Sequence, residues 1–367
     1  MSAGRAPIFS AAELARALLV PDAGETFGPI AGPGAIVLDL DRSAEETRLT
    51  TRTDFARILT ELPSLPCVTI AMGRIGEGRA AQVGARDMPA ADPDLGALAA
   101  ACDVRLEVRA ELGDFLFGFE KTPCSALAFV QLLRGMTPGL PIGQGLVAES
   151  FVYSTLQSGP EFQRWLAGRQ ASGRTPRRDT GPACLLERDG SRLEIRLNRP
   201  GKHNAFSRGL RDALCEGLVV ALADPSLEEV VLKGEGESFC SGGDLDEFGS
   251  FPDPATAHMV RTMRSPALLL SRLAGRVRSE IHGACIGAGI ELPAFTDRIV
   301  ADEDCFIELP EVRLGLVPGA GGTVSLTRRI GRQKTAWLGL SGRRLDARTA
   351  LAWGLVDEVR LRQHPPA

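Results

Sequence analysis

The chain has 367 residues, enough for one large domain or two of ordinary size. Hydrophobic residues make up 44% and charged residues 24%, an ordinary globular balance. A formal net charge of −4 argues against a nucleic-acid partner, which needs a basic face, and no apolar run approaches the length of a membrane span.

At the N-terminus, Ser10-Ala11-Ala12-Glu13 reads as a capping box opening a short helix. No basic region followed by an apolar stretch precedes it, so a secretory signal is not expected. The cysteines are Cys67, Cys102, Cys124, Cys184, Cys215, Cys240, Cys285 and Cys305. None form C-x-x-C pairs or cluster with histidines, so no metal site is expected. They read as small apolar residues of a reducing compartment, and the cytoplasm is the expected location.

Strands are expected at residues 35–40, 67–72 and 104–108, and helices at 53–62 and 95–102. Residues 169–183 are rich in Gly, Arg, Pro and Ser, lack apolar periodicity, and read as a linker. The expected division is therefore a first domain over 1–168, the linker, and a second domain over 184–367. In the second half, Leu193-Glu194-Ile195-Arg196-Leu197 alternates as a half-buried strand should, and residues 206–224 carry helical spacing. Further strands are expected at 230–232, 277–281 and 298–301, with a helix continuing over 291–295. Strands alternating with helices indicate an α/β fold with parallel pairing. Asp103 and Asp297 both stand at a helix-to-strand junction, which suggests an internal repeat.

The chemistry concentrates between Phe239 and Thr323. Two glycine-rich turns, Ser241-Gly242-Gly243-Asp244 and Gly287-Ala288-Gly289-Ile290-Glu291, can each aim a backbone N–H at one point. Beyond them lie Leu309-Pro310-Glu311 and Pro318-Gly319-Ala320-Gly321-Gly322. Two N–H donors and two glutamates are the equipment for stabilising a thioester enolate and moving a proton.

These pieces, with Asn198-Arg199-Pro200, Asn204-Ala205-Phe206, Gly315-Leu316-Val317 and Gly354-Leu355-Val356, resemble the crotonase (enoyl-CoA hydratase/isomerase) superfamily in order and spacing. The resemblance implies a spiral of ββα turns that binds acyl-CoA thioesters. By motif position, the N–H groups of Gly243 and Ala288 would form the oxyanion hole, with Ala288 where the family usually has glycine. That departure asks whether the backbone there needs positive φ. Glu291 and Glu311 fall on the family's two acid/base positions. Retention of both tilts the reading toward hydration of a 2-enoyl-CoA, ahead of double-bond isomerisation or thioester hydrolysis. A non-catalytic acyl-CoA binder is the rival from another class. Lys202, Asn204, Asp244, Leu245, Asp246, Gly287 and Gly289 occupy positions beside the bound coenzyme A, which enters as part of the substrate and not as a separate cofactor. Relatives are trimers or hexamers, so a homo-oligomer is implied.

Several single residues keep two readings. Asp244 serves as a turn cap or in the site. Lys202 meets a phosphate or solvent. Arg261 and Arg264 line the entrance or a solvated helix face. His282, Cys240 and Cys285 are read as packing residues.

The chain departs from the family in two further ways. Relatives carry more helices after the Gly354-Leu355-Val356 position, and here residues 126–134, 145–151 and 159–169 resemble that tail instead. The expectation is two tandem crotonase-like units, the first degenerate, with tail helices that serve the active half. Arg278 and Glu280 stand where relatives have an apolar strand and should pair with each other's neighbours or face the first half.

Overall fold

The computed structural model describes residues 6–45, 51–73, 93–170 and 181–361. The chain divides into two compact units, Met1–Gly135 and Met136–Ala367.

The first unit is a parallel sheet of β1 (Ile8–Phe9), β2 (Ala35–Asp39), β3 (Val68–Met72) and β4 (Val104–Leu106), in that spatial order. β2 and β3 are buried on both faces, which is why they read as mostly apolar runs without alternation. Helices Ala11–Ala17, Arg52–Glu61 and Pro93–Ala101 connect the strands, and Leu14, Ile36, Leu38, Ile58, Leu62 and Leu98 form the core between them. The capping box forms in full: Ser10 Oγ accepts from Glu13 N, and Glu13 accepts from Ser10 N.

The second unit carries β5 (Cys184–Asp189), β6 (Arg192–Leu197), β7 (Glu229–Gly234), β8 (Val277–Ile281), β9 (Ala284–Ile286), β10 (Arg298–Asp302), β11 (Phe306–Glu308), β12 (Leu345–Asp346) and β13 (Glu358–Arg360). Six of them make one sheet in the order β13-β10-β8-β7-β6-β5, parallel except for the β5–β6 hairpin. A small sheet, β12-β11-β9, lies beyond it. Strands alternating with helices thus give a mixed α/β fold.

On β8, Val277, Ser279 and Ile281 are buried on one face, while Arg278 and Glu280 occupy the other. Those two pair with each other at 2.9 Å, and with Glu229 of the adjacent β7 and Arg360 of β13, two strands away. The network satisfies charges whose unpaired burial would cost several kcal/mol.

The Asp at the helix-to-strand junction has a defined job. Asp103 N donates to Thr69 O while its carboxylate accepts from Thr69 N. Asp297 does the same with Val277, and Asp357 with Ile299. The motif locks the register of adjacent parallel strands. It occurs twice within the second unit, so its appearance at Asp103 marks a strand entry and does not by itself establish a tandem repeat.

The division falls ahead of the segment expected as a linker. The tail-like segments split: helix Pro123–Gly135 belongs to the first unit, where Arg134 bonds Asp103, Leu65 O and Cys67 O. Helices Ile142–Gln157 and Pro160–Gln170 belong to the second unit. Close packing fixes them there: Leu146 packs on the second core, and a Cβ on Gly315 would stand 2.4 Å from the backbone nitrogen of Phe162. Of the expected linker, residues 171–180 lie outside the described residues. No helix of the described residues is long and apolar enough to cross a membrane.

Candidate active site

The two glycine turns pack against each other. Cys240 bridges Cys285 in parallel fashion, with Cys240 N donating to Ala284 O and Ile286 N to Cys240 O. A Cβ on Gly289 would meet Cys240 O at 2.2 Å, and one on Gly242 would meet Ile286 O at 3.2 Å. The close approach, together with φ of +90° at Gly242 and +50° at Gly287, is what glycine supplies here. Ala288 has an ordinary negative φ, because it is the first residue of the turn Ala288–Glu291. Alanine therefore costs nothing at that position. That turn is only four residues long, so it lends a weaker dipole than the full helix anticipated from sequence.

The amides of both turns are spare. Phe206 N donates to Gly242 O and Asp244 N to Phe206 O, which leaves Gly243 N–H on the opposite side of that bridge. Ala288 N–H is the orphan of a helix start. Among the described residues no hydrogen bond engages either, and Gly243, Ala288, Glu291 and Glu311 line one cavity of about 150 Å³.

Both carboxyls flank Gly287. The position of a Cβ there lies 2.3 Å from Glu311 Oε1 and 3.7 Å from Glu291 Oε1. Their environments differ. Glu291 is buried, and its Oε2 accepts from Ala320 N at 2.8 Å and Gly322 N at 2.9 Å. Burial pushes its pKa up to about 7, while these amides and that of Gly319 hold it down. Glu311 Oε2 is buried with no hydrogen-bond partner among the described residues. Burial, then the charge of Glu291, pushes its pKa well above the usual carboxylate range. Two neighbouring carboxyls with unlike surroundings can divide acid and base roles.

A third buried acid completes the arrangement. Glu149, on helix Ile142–Gln157, accepts from Gly321 N (2.7 Å), Thr323 N (2.9 Å) and Thr323 Oγ1 (2.6 Å). The amides of residues 320 to 323 thus alternate between Glu291 and Glu149. Burial and the charge of Glu291 push the Glu149 pKa up to about 8, against the pull of the Thr323 and Gly321 donors. Tyr153, four residues on, lies against Gly319 and lines the cavity; burial raises its pKa. Sequence reasoning placed a glutamate on a tail-like helix but gave it no role; the signal was the one acid in an otherwise uncharged stretch, Gly145 to Gln157.

The remaining candidates frame the site. Asn204 is fully buried and its amide is spent on structure: Oδ1 accepts from Arg199 N, and Nδ2 donates to Glu235 O and Ser238 O. It does not line the cavity. Asp244 lines it but is paired with Arg199 at 2.8 Å and Lys202 at 3.2 Å. Burial pushes its pKa up, and Arg199, the Asp246 amide and Lys202 more than offset that, leaving it lowered. Lys202 bridges Asp244 and Asp246 at the rim. Leu245 O and Asp246 both accept from Arg169 of helix Pro160–Gln170, so that helix secures the loop after the first turn. Phe248 in this loop packs edge-on against Trp165 and at a tilt against Phe162, and lies over Gly243.

Cys240 and Cys285 belong to the apolar core, and burial raises both thiols, Cys240 to about 12. His282 bonds Gly236 O at a strand end. Glu308 pairs with Arg344, and its carbonyl accepts from Gly287 N.

The enoyl-CoA hydratase/isomerase family model matches residues 187–364. The mevalonyl-coenzyme A hydratase of Beauveria bassiana is 34% identical over 46% of this chain and 62% of its own length. The 2,3-dehydroadipyl-CoA hydratase of Escherichia coli K12 is 34% identical over 48% of this chain and 68% of its own. A probable enoyl-CoA hydratase of Mycobacterium tuberculosis is 32% identical over 49% and 69%. The chain thus spans 62–69% of the length of these curated relatives. The crystal structure of an enoyl-CoA hydratase from Thermoplasma volcanium GSS1 shares 33% identity over 49% of this chain and 72% of that one, with a TM-score of 0.45. With a 34% identical relative covered over 68% of its length, the chain belongs to the enoyl-CoA hydratase/isomerase family.

Proposed function

We propose that this protein adds water across the double bond of a 2-enoyl-CoA. The observation that carries the reading is the pair of carboxyls flanking Gly287 in a cavity with two unengaged main-chain N–H groups. Gly243 N–H and Ala288 N–H hold the thioester oxygen and stabilise the enolate that develops there, a type of interaction worth about 3–4 kcal/mol per donor. Glu291, whose amide donors favour the carboxylate, takes a proton from water as the oxygen bonds C3. Glu311, kept protonated by burial and by Glu291, gives its proton to C2. One proton leaves water and one reaches carbon; exchange with solvent restores the two acids. The addition is redox-neutral, so the chemistry calls for no cofactor beyond the coenzyme A of the substrate.

Alanine at position 288 lends the non-catalytic reading little support, because the positive φ belongs to Gly287. A binder would also have no use for a buried, unpartnered Glu311 oxygen. Homo-oligomeric assembly, as a trimer or hexamer, and a cytoplasmic location extend the same proposal. The test follows the loss of enoyl ultraviolet absorbance on crotonyl-CoA and longer enoyl-CoA thioesters. Hydration by the native protein and its loss in both Glu291→Gln and Glu311→Gln support the reading. Hydration that survives either substitution in full rejects it and favours single-carboxyl isomerase or hydrolase chemistry.

A further inference from the structure

The cleft has a second branch. A cavity of about 100 Å³ opens beside the larger one and shares Phe206, Arg211, Arg261, Gly319 and Ala320 with it. Gly243, Ala288 and Glu311 line only the larger cavity, so the smaller lies to one side of the reacting carbons. Three arginines line it, Arg211, Arg261 and Arg264, against a single carboxyl, Glu149. Glu149 is spent on the donors of Gly321 and Thr323. Arg211 is paired with Asp212, and Arg264 is exposed.

Arg261 differs from both. Its guanidinium bonds neutral groups of helix Ile142–Gln157: Ser150 Oγ at 3.1 Å, Ser150 O at 3.3 Å, Gln157 Oε1 at 3.4 Å, and Ser154 Oγ. It lies 4.5 Å from the centre of the Tyr153 ring. Among the described residues no carboxylate is within ion-pair distance of it. Burial lowers its pKa, and the more distant Tyr153 and Glu149 oppose that only in part. Neutral dipoles fix the orientation of such a group without neutralising it. An incoming anion would gain a pre-oriented, charge-assisted contact at little ordering cost.

We propose that Arg261 recognises a carboxylate at the far end of the acyl group, so that the substrate class is enoyl-CoA thioesters bearing a distal acid. This rests on the hydratase reading above. A phosphate of coenzyme A offers similar chemistry, but the whole pantetheine arm separates it from the thioester. Arg261 instead shares one cavity with the two thioester amides.

The experiment compares trans-2-hexenoyl-CoA with its ω-carboxy counterpart on the full chain. The native protein should favour the carboxylated thioester in kcat/KM by about 10-fold or more, the scale of one charge-assisted contact. Arg261→Gln should pull that ratio toward one, and Arg261→Lys should keep part of it. Repeating the pair as N-acetylcysteamine thioesters, which carry no phosphate, should preserve both the preference and its dependence on Arg261. A native preference for the uncharged thioester overturns the proposal. So does an equal loss on both substrates in Arg261→Gln, or an Arg261 effect that vanishes without the phosphates. Calorimetric binding of the saturated pair, hexanoyl-CoA and its ω-carboxy form, gives a readout independent of turnover and of any variant's folding. Tighter binding of the acid, lost in Arg261→Gln, without hydration of either enoyl thioester would keep Arg261 in this role and reject the hydratase reading.

Discussion

Replacing Glu149 by alanine tests whether a helix placed before the second unit's sheet completes its active site. The carboxyl accepts from two main-chain N–H groups, Gly321 and Thr323, and from the Thr323 hydroxyl. The hydroxyl can turn to another partner. The two amides cannot, and each buried donor left unmet costs about 1–3 kcal/mol, or about 4 kcal/mol together. Removing a desolvated acid returns part of that, for a net loss of about 3 kcal/mol. In a unit of this size each kcal/mol moves Tm by about 2–4 °C, so Tm should fall by about 6–12 °C. The loss should also depend on pH with a definite sign. The Glu149 pKa is raised from 4.5 to about 8 in the folded state, so unfolding releases its proton between those values. The stability it contributes is complete below pH 4.5 and declines as pH rises toward 8. The variant lacks this decline, so its deficit should be largest at the acid end of that window and shrink toward pH 8. Because the same loop donates to Glu291, kcat should fall along with Tm. Urea and thermal unfolding at several pH values, with turnover on an enoyl-CoA, measure all three effects. A Tm within 2 °C of native, with unchanged turnover, would refute the coupling of Glu149 to the loop.

Four further outcomes are expected. Glu291→Gln and Glu311→Gln should each lower kcat about 10²–10⁴-fold while the fold persists, read by enoyl absorbance and circular dichroism. The pH profile of kcat/KM should rise through about pH 7 as Glu291 ionises, and fall at higher pH as Glu311 loses the proton it must donate; a profile flat from pH 5 to 9 would contradict the assigned roles. Gly289→Ala should cost about 1–3 kcal/mol or more and most of the activity, because its methyl group would stand 2.2 Å from Cys240 O. A fragment starting at Met136 should stay soluble and turn over substrate, whereas one starting at Gly181 should do neither; equal activity in both would show that helices Ile142–Gln157 and Pro160–Gln170 are dispensable.

What was legible in the sequence was whatever depends on neighbours along the chain. β8 was expected at residues 277–281 and forms there, because Val277, Ser279 and Ile281 alternate with charged residues. The Ser10 capping box closes within four residues. The glycine turns were legible because positive φ and close approach admit few other side chains, and the resemblance to the family then singled out Gly243, Ala288, Glu291 and Glu311, which line one cavity. The short strands β9, β11, β12 and β13 were not legible. Two or three residues carry no periodicity, and their pairing depends on partners far along the chain.

The division by contacts falls ahead of the one expected from composition for a related reason. Composition picked out the Gly-, Pro- and Arg-rich stretch after residue 168, yet what separates two units is where contacts cease, and helices Ile142–Gln157 and Pro160–Gln170 spend theirs on the second sheet's loops. Glu149 could not be recognised from its own surroundings for the same reason. Its partners lie 172 and 174 residues away, and a single acid on an apolar helix reads locally as a fault. In the folded chain it is the counterpart of Glu291. Four successive amides, from residue 320 to 323, are shared between the two carboxyls in alternation, so the loop cannot shift to suit one without losing the other. That mutual constraint helps hold Glu291 beside Gly287, and it comes from a helix far away along the chain rather than from the residues around Glu291.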